Sequence, residues 1–213
     1  MSARTTPPFR ADHVGSLLRP AALKQAREDA ARGAISPGDL RAAEDDAIRD
    51  AIRMQEDIGL RAVTDGEFRR ASWHMDFIYE IAGVQKAEQA MKSVFHNAGG
   101  DIEFTPSAIR VTGKLGMDHT IFGPAFEFVR DNVTTGTPKL TIPAPSLVHY
   151  RSGIRAVVDE SVYQDTEEFW ADLGAAYNGE VLRLAAQGCR YLQLGGPQEA
   201  PDVIGTERRH CPR

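Results

Sequence analysis

Apolar residues recur at helical spacing through the first third of the chain. Leu40, Ala43, Ala47, Ile48, Ala51, Met54 and Ile58 predict one long amphipathic helix. Its start is written in Ser36-Pro37-Gly38-Asp39, with Ser36 as N-cap, Pro37 at the first helical position and Asp39 placed to close a capping box. Gly59 ends it. A second stripe, Phe169, Leu173, Tyr177, Val181 and Leu184, predicts a helix opened by Asp165, favoured by Glu167 and Glu168 in its first turn, and stopped at Gly188. A shorter helix is expected from Arg19-Pro20 to about Arg32, with Gly33 beyond it. Residues 73–81 and 124–133 read as further short helices.

The runs between these helices are short and rich in β-forming residues. Residues 10–14, 61–65, 108–114, 139–142 and 190–194 read as strands, and Gly99-Gly100 as a turn. Strands alternating with helices predict a parallel α/β fold. Each strand runs into a polar or Gly/Pro-rich loop, which is where a (β/α)8 TIM-type barrel places its chemistry. A doubly wound open sheet is the competing architecture, but no G-x-G-x-x-G follows the first strand. About five of the eight strands of such a barrel are present, so the expectation is an incomplete (β/α)8 barrel. Residues 1–194 form its N-terminal part. Residues 195–213 begin with Gly195-Gly196-Pro197, carry only scattered apolar residues, and are expected to be an irregular tail left by a truncation or a shifted frame.

Composition narrows the function classes. The chain has 213 residues, enough for one domain, and is 42% hydrophobic and 26% charged, which is globular. The net charge of −5 offers no basic face, so no nucleic-acid partner is expected. There is no run of 18 apolar residues and no secretory leader at the N-terminus, so no membrane span is expected. The two cysteines, Cys189 and Cys211, cannot staple a chain of this size, and the expected setting is the cytoplasm with reduced thiols.

Four motifs carry the chemistry. They are Asp12-His13-Val14-Gly15-Ser16-Leu17-Leu18-Arg19-Pro20, Val63-Thr64-Asp65-Gly66-Glu67-Phe68-Arg69-Arg70, the segment from Lys139 to Ser146, and Ala186 to Leu194. In this order, at the ends of the strands drawn above, they resemble the catalytic barrel of the cobalamin-independent methionine synthases, in particular their single-barrel branch. The resemblance covers about residues 9–194. It implies an S-methyltransferase: zinc holds homocysteine as a thiolate, which takes a methyl group from 5-methyltetrahydrofolate. Two alternatives stand beside it. One is a zinc-dependent alkyltransferase acting on another thiol. The other is an inactive fragment or small-molecule-binding remnant that requires a partner chain to complete the sheet.

The resemblance assigns substrate-binding roles residue by residue. Glu67 matches the glutamate that engages the amino-acid part of the thiol substrate; by residue type alone it reads equally as one half of an ion pair with Arg69 or Arg70. Gly15 and Ser16 match the loop that contacts the substrate carboxylate, Gly by close backbone approach and Ser by its hydroxyl. His13 stands on the same face, as substrate contact or structural residue. Trp73, His74 and Asp76 follow the Glu67 motif and line a pocket or pack in the core. Ser146, His149 and Tyr150 follow the fourth strand. No catalytic residue is assigned. The chain also departs from the family. Gly195 stands where the family's fifth strand ends in an acidic residue, and the His-x-Cys pair and later ligands of its zinc cannot be placed. His210-Cys211 supplies two adjacent candidates where a site needs at least three ligands. No bound zinc, no unaided turnover, and self-association through open barrel edges are therefore expected.

Overall fold

The computed structural model describes residues 12–87, 93–97, 100–104, 108–149 and 153–196. Residues 10 and 11 of the expected first strand, and Tyr150, His210, Cys211 and the rest of the expected tail from Pro197, lie outside the described residues. The fold is mixed α/β with parallel strands. Helix α1 (Ala21–Ala31) and helix α2 (Pro37–Asp57) lead into β1 (Ala62–Val63) and the one-turn helix α3 (Met75–Ile78). Strands β2 (Ala82–Ala87), β3 (Ser93–Asn97), β4 (Gly100–Phe104) and β5 (Ala108–Gly116) follow, then α4 (Gly123–Asn132). Strands β6 (Thr137–Pro138) and β7 (Leu140–Pro143) precede α5 (Ile154–Val157), α6 (Thr166–Ala186) and β8 (Leu192–Gly195).

The long helices form where their caps predict. Ser36 accepts from the Asp39 N–H and Asp39 accepts from the Ser36 N–H, a complete capping box, with Pro37 in the first turn. Asp165 caps α6 by accepting from the Glu167 N–H. The buried faces differ from the predicted stripes. In α2 it is Glu44, Ile48, Ala51, Ile52 and Gln55 that are buried, while Met54 and Ile58 are exposed. Gln55 belongs inside because its amide substitutes for a strand: it donates to Thr64 O and accepts from the Thr64 N–H, tying α2 to the end of β1.

Four parallel segments set the functional end of the molecule. Ser16 bridges Gly66, β1 pairs with β6, and β7 pairs with β8 in register Leu140↔Leu192 through Pro143↔Gly195. Strand β7 is buried along its whole length, as expected of a parallel strand covered on both faces. Beneath the chain ends, the fully buried Lys139 ammonium donates to both oxygens of Asp12 and to His13 O, and the Tyr191 hydroxyl donates to Asp12. Burial pushes the Asp12 carboxyl up, but the bonds from Tyr191 and Lys139 outweigh it and hold it low.

The segment 108–114 was expected to join these parallel strands, and here the structure corrects the sequence. Strand β5 pairs antiparallel with β2, Val84 opposite Val111, and β3 pairs antiparallel with β4, Asn97 opposite Gly100. The reason is visible in the pattern: Ile109, Val111 and Leu115 alternate with polar residues, which marks a sheet with one wet face, whereas buried parallel strands read as continuous apolar runs. The helix expected over residues 73–81 shrinks to α3. Two cores result. One gathers Phe77, Phe126, Ile142, Phe169, Leu173 and Leu184; the other packs Leu23, Ile48, Ile52, Val63 and Phe68 between α1, α2 and β1. Among the described residues no helix is long and apolar enough to cross a membrane.

Candidate functional site

The ends of the four parallel segments surround a cleft of about 320 Å³ lined by Val14, Ser16, Glu67, Trp73, Thr141, Gly195 and Gly196. Of the residues singled out in the sequence, the structure brings Ser16, Glu67 and Trp73 together here, with Gly15 directly behind. A Cβ on Gly15 would lie 2.9 Å from Thr141 Oγ1 and 3.6 Å from Glu67 Oε1, and its φ is +135°. Only glycine lets the first segment press so closely against β7.

Glu67 is built into the cleft by its own loop. Gly66 and Glu67 both have left-handed backbone, φ +66° and +59°, and Glu67 is the one non-glycine with positive φ among the described residues. Such a conformation costs on the order of 1 kcal/mol and persists where the surroundings enforce it. The surroundings are explicit. Asp65 Oδ1 accepts the Glu67 N–H, and Thr64 Oγ1 accepts the Gly66 N–H while donating to Gly15 O. The carbonyls of residues 67–70 are gathered by two guanidinium groups: Arg19 donates to Glu67 O, Phe68 O and Arg70 O, and Arg27 to Phe68 O, Arg69 O and Arg70 O.

The Glu67 side chain is 7% exposed and forms an ion pair with Arg70 at 3.3 Å. Burial pushes its carboxyl up; Arg70 and Arg19 oppose the shift and Asp65 adds to it. Of the two ion-pair partners weighed from the sequence, Arg70 is the one found. Arg69 turns away to Asp45 and covers Phe128.

The other candidates stand apart. Both carboxylate oxygens of Asp76 accept backbone N–H groups, from Ala71 and Ser72, so Asp76 shapes the loop after Glu67. His13 Nε2 lies 3.3 Å from Ala62 O. Its Nδ1 is buried, with no hydrogen-bond partner in the structure. Ser146 is exposed in a short 3-10 turn after β7 and does not line the cleft. His149 packs edge-on against Trp170, and His74 packs at a tilt against Trp73. A larger groove of about 610 Å³ lies between α5 and α6, lined in part by Arg155, Tyr163 and Phe169, away from the strand ends.

Sequence reasoning missed Arg19, Arg27, Thr64 and Thr141 as builders of the site, and weighed Arg70 only as an ion-pair partner of Glu67. Their partners are mostly backbone carbonyls distant in sequence, which leave no spacing to read. Among the described residues no group of three or more His, Cys, Asp and Glu is placed to hold a metal.

No family profile matches the chain. Individual proteins do. The uncharacterized protein YxjH of Bacillus subtilis is 41% identical over 188 residues, which is 88% of this chain and 48% of YxjH. A 5-methyltetrahydropteroyltriglutamate–homocysteine methyltransferase of Bradyrhizobium diazoefficiens is 36% identical over 77 residues, 36% of this chain and 10% of that enzyme. Among solved structures, a Listeria monocytogenes protein assigned as a vitamin-B12-independent methionine synthase superposes with a TM-score of 0.70 at 34% identity, covering 88% of this chain and 51% of that one. The chain thus spans about half the length of YxjH and of the Listeria protein. By sequence and by fold it is similar to cobalamin-independent methionine-synthase-like proteins.

Proposed function

We propose that the chain carries the amino-acid end of a thiol methyl-transfer site, in which homocysteine thiolate accepts a methyl group from 5-methyltetrahydrofolate. The observation that supports this most is the convergence of Ser16, Glu67, Thr141 and Gly195, from four parallel chain ends, on one cleft. In this reading the parallel segments are part of the wall of a (β/α)8 barrel, whose chemistry sits at the C-terminal strand ends. The Bradyrhizobium relative bears the name of this reaction.

The chemistry follows from the residues. The Glu67 carboxylate accepts hydrogen bonds from the substrate ammonium, a charge-assisted contact in a half-dry site. The Ser16 hydroxyl donates to the substrate carboxylate, and Gly15 lets the backbone approach it. Trp73 and Val14 wall the methylenes that lead to sulfur. Zinc, in enzymes of this kind, keeps the thiol as its nucleophilic anion. The described residues do not assemble a ligand set for it. The same reading places the protein in the cytoplasm, with the Cys189 thiol reduced.

A different thiol acceptor is the second reading. It is favoured by the Glu67–Arg70 pair, which already balances the carboxylate that an ammonium would seek. Calorimetric titration separates the two. L-methionine and L-homocysteine are expected to bind the wild-type chain, 3-mercaptopropionate to bind at least ~10-fold more weakly, and Glu67→Gln to remove the difference between them, since a charged hydrogen bond is worth roughly 1.5–3 kcal/mol. Equal binding of all three ligands supports the other thiol. No binding of any leaves the site reading without support.

A further inference from the structure

The geometry around Glu67 assigns a role to a residue that stands outside the cleft lining. We propose that Arg70 is the positioning residue of the site: a fixed cation that aims the Glu67 carboxylate and opposes its neutralisation while the carboxylate itself meets the ligand. The proposal rests on the reading of Glu67 as the ligand-binding carboxylate, but its central test does not need a ligand.

Arg70 is anchored from three directions. Its Nη2 donates to Thr141 O at 2.8 Å, in the strand that forms the cleft floor. Its Nη1 donates to Trp73 O at 3.3 Å, in the loop that carries the cleft wall. Its guanidinium lies 4.1 Å from the centre of the Phe122 ring, on the loop before α4. The side chain is 6% exposed. A guanidinium held in this way cannot follow a departing carboxylate, so its charge stays where the fold puts it.

Its contact with Glu67 has the form such a role requires. A short, two-pronged pair would engage both carboxylate oxygens. Here Nη1 reaches Oε1 at 3.3 Å, a single long bond shared with Trp73 O. The Arg70 N–H donates to Glu67 O at 3.1 Å, which sets the two side chains three residues apart across one tight turn. The charged groups acting on the Glu67 carboxylate are Arg70 and Arg19, which favour its anion, and Asp65, which opposes it. Arg19 is committed to the carbonyls of Glu67, Phe68 and Arg70, so Arg70 is the cation that addresses the carboxylate itself. Burial alone would favour the neutral acid, which cannot accept the full set of bonds from an ammonium.

The test is a carbon-13 NMR titration of the Glu67 carboxyl carbon in the full chain. Arg70→Gln is expected to raise the titration midpoint by about one pH unit or more, the scale of an opposite charge at this distance. Arg70→Lys, which restores charge without the three-way anchoring, is expected to fall between Gln and wild type. An unchanged midpoint in folded Arg70→Gln would overturn the proposal. Should that variant fail to fold, the wild-type protein still decides: the nitrogen-15 shifts of the Arg70 guanidinium must follow the protonation of Glu67 with the midpoint read at its carboxyl carbon, and guanidinium shifts that ignore that midpoint refute the coupling. Methionine affinity should fall with acid at that same midpoint. If the NMR shifts appear but methionine binds at no pH, Arg70 keeps its role and the substrate assignment fails.

Discussion

At the scale of single residues, Gly15 and Glu67 carry opposite burdens. Gly15 is needed because a side chain would press on Thr141 Oγ1 from a backbone that L-residues rarely adopt. Gly15→Ala is expected to cost about 1–3 kcal/mol in urea unfolding and to weaken ligand binding, because the floor of the cleft must shift. An Ala variant as stable as wild type would mean the first segment is free to slide. Glu67 is strained and buried, a polar residue set where stability alone would not place it, as is common where function is served. Both residues were legible as a strand-end motif. Arg70 was visible as a charge but not as a role, because its three anchors come from residues 73, 122 and 141, and no local pattern announces them. Asp76, read from the sequence as a candidate ligand contact, accepts two backbone N–H groups and so also shapes its own loop.

At the scale of elements, caps proved more readable than pairings. The Ser36–Asp39 box and the Asp165 cap fall where the sequence puts them, because capping chemistry is local. Ser36→Ala is expected to lower stability by roughly 1 kcal/mol, measurable as a shift in urea midpoint. The antiparallel β2–β5 pair was not foreseen, since an alternating strand does not name its partner, and only its wet face hints at an antiparallel one. The turn before β6 was equally hidden. Glu56 of α2 accepts the N–H groups of Thr134, Thr135 and Gly136 and the hydroxyls of Thr134 and Thr135. Burial opposes these bonds, but they win and hold its carboxyl at about 2. A carboxyl depressed by folding stabilises the protein above its unfolded value of roughly 4.3, and that contribution disappears as pH falls toward the folded value. The wild type should therefore lose stability between about pH 4.5 and 2 more steeply than Glu56→Gln. Parallel pH profiles for the two proteins would remove Glu56 from this role.

At the scale of the whole molecule, the four parallel segments leave an edge. Among the described residues β8 pairs only with β7, and Leu194 on it is 51% exposed. Unpaired strand edges with apolar side chains recruit other chains. Sedimentation is expected to show concentration-dependent association that Leu194→Lys reduces; a monodisperse monomer at all concentrations would show the edge to be covered.

The strand-end cleft is proposed to hold the amino-acid end of a small thiol or thioether. Amide and indole chemical-shift mapping of the full chain with L-methionine tests it most directly. Saturable shifts are expected at Ser16, Glu67, Gly195 and the Trp73 indole N–H, lost in Glu67→Gln. Shifts confined to the groove around Arg155, Tyr163 and Phe169, or none at saturating ligand, would contradict it.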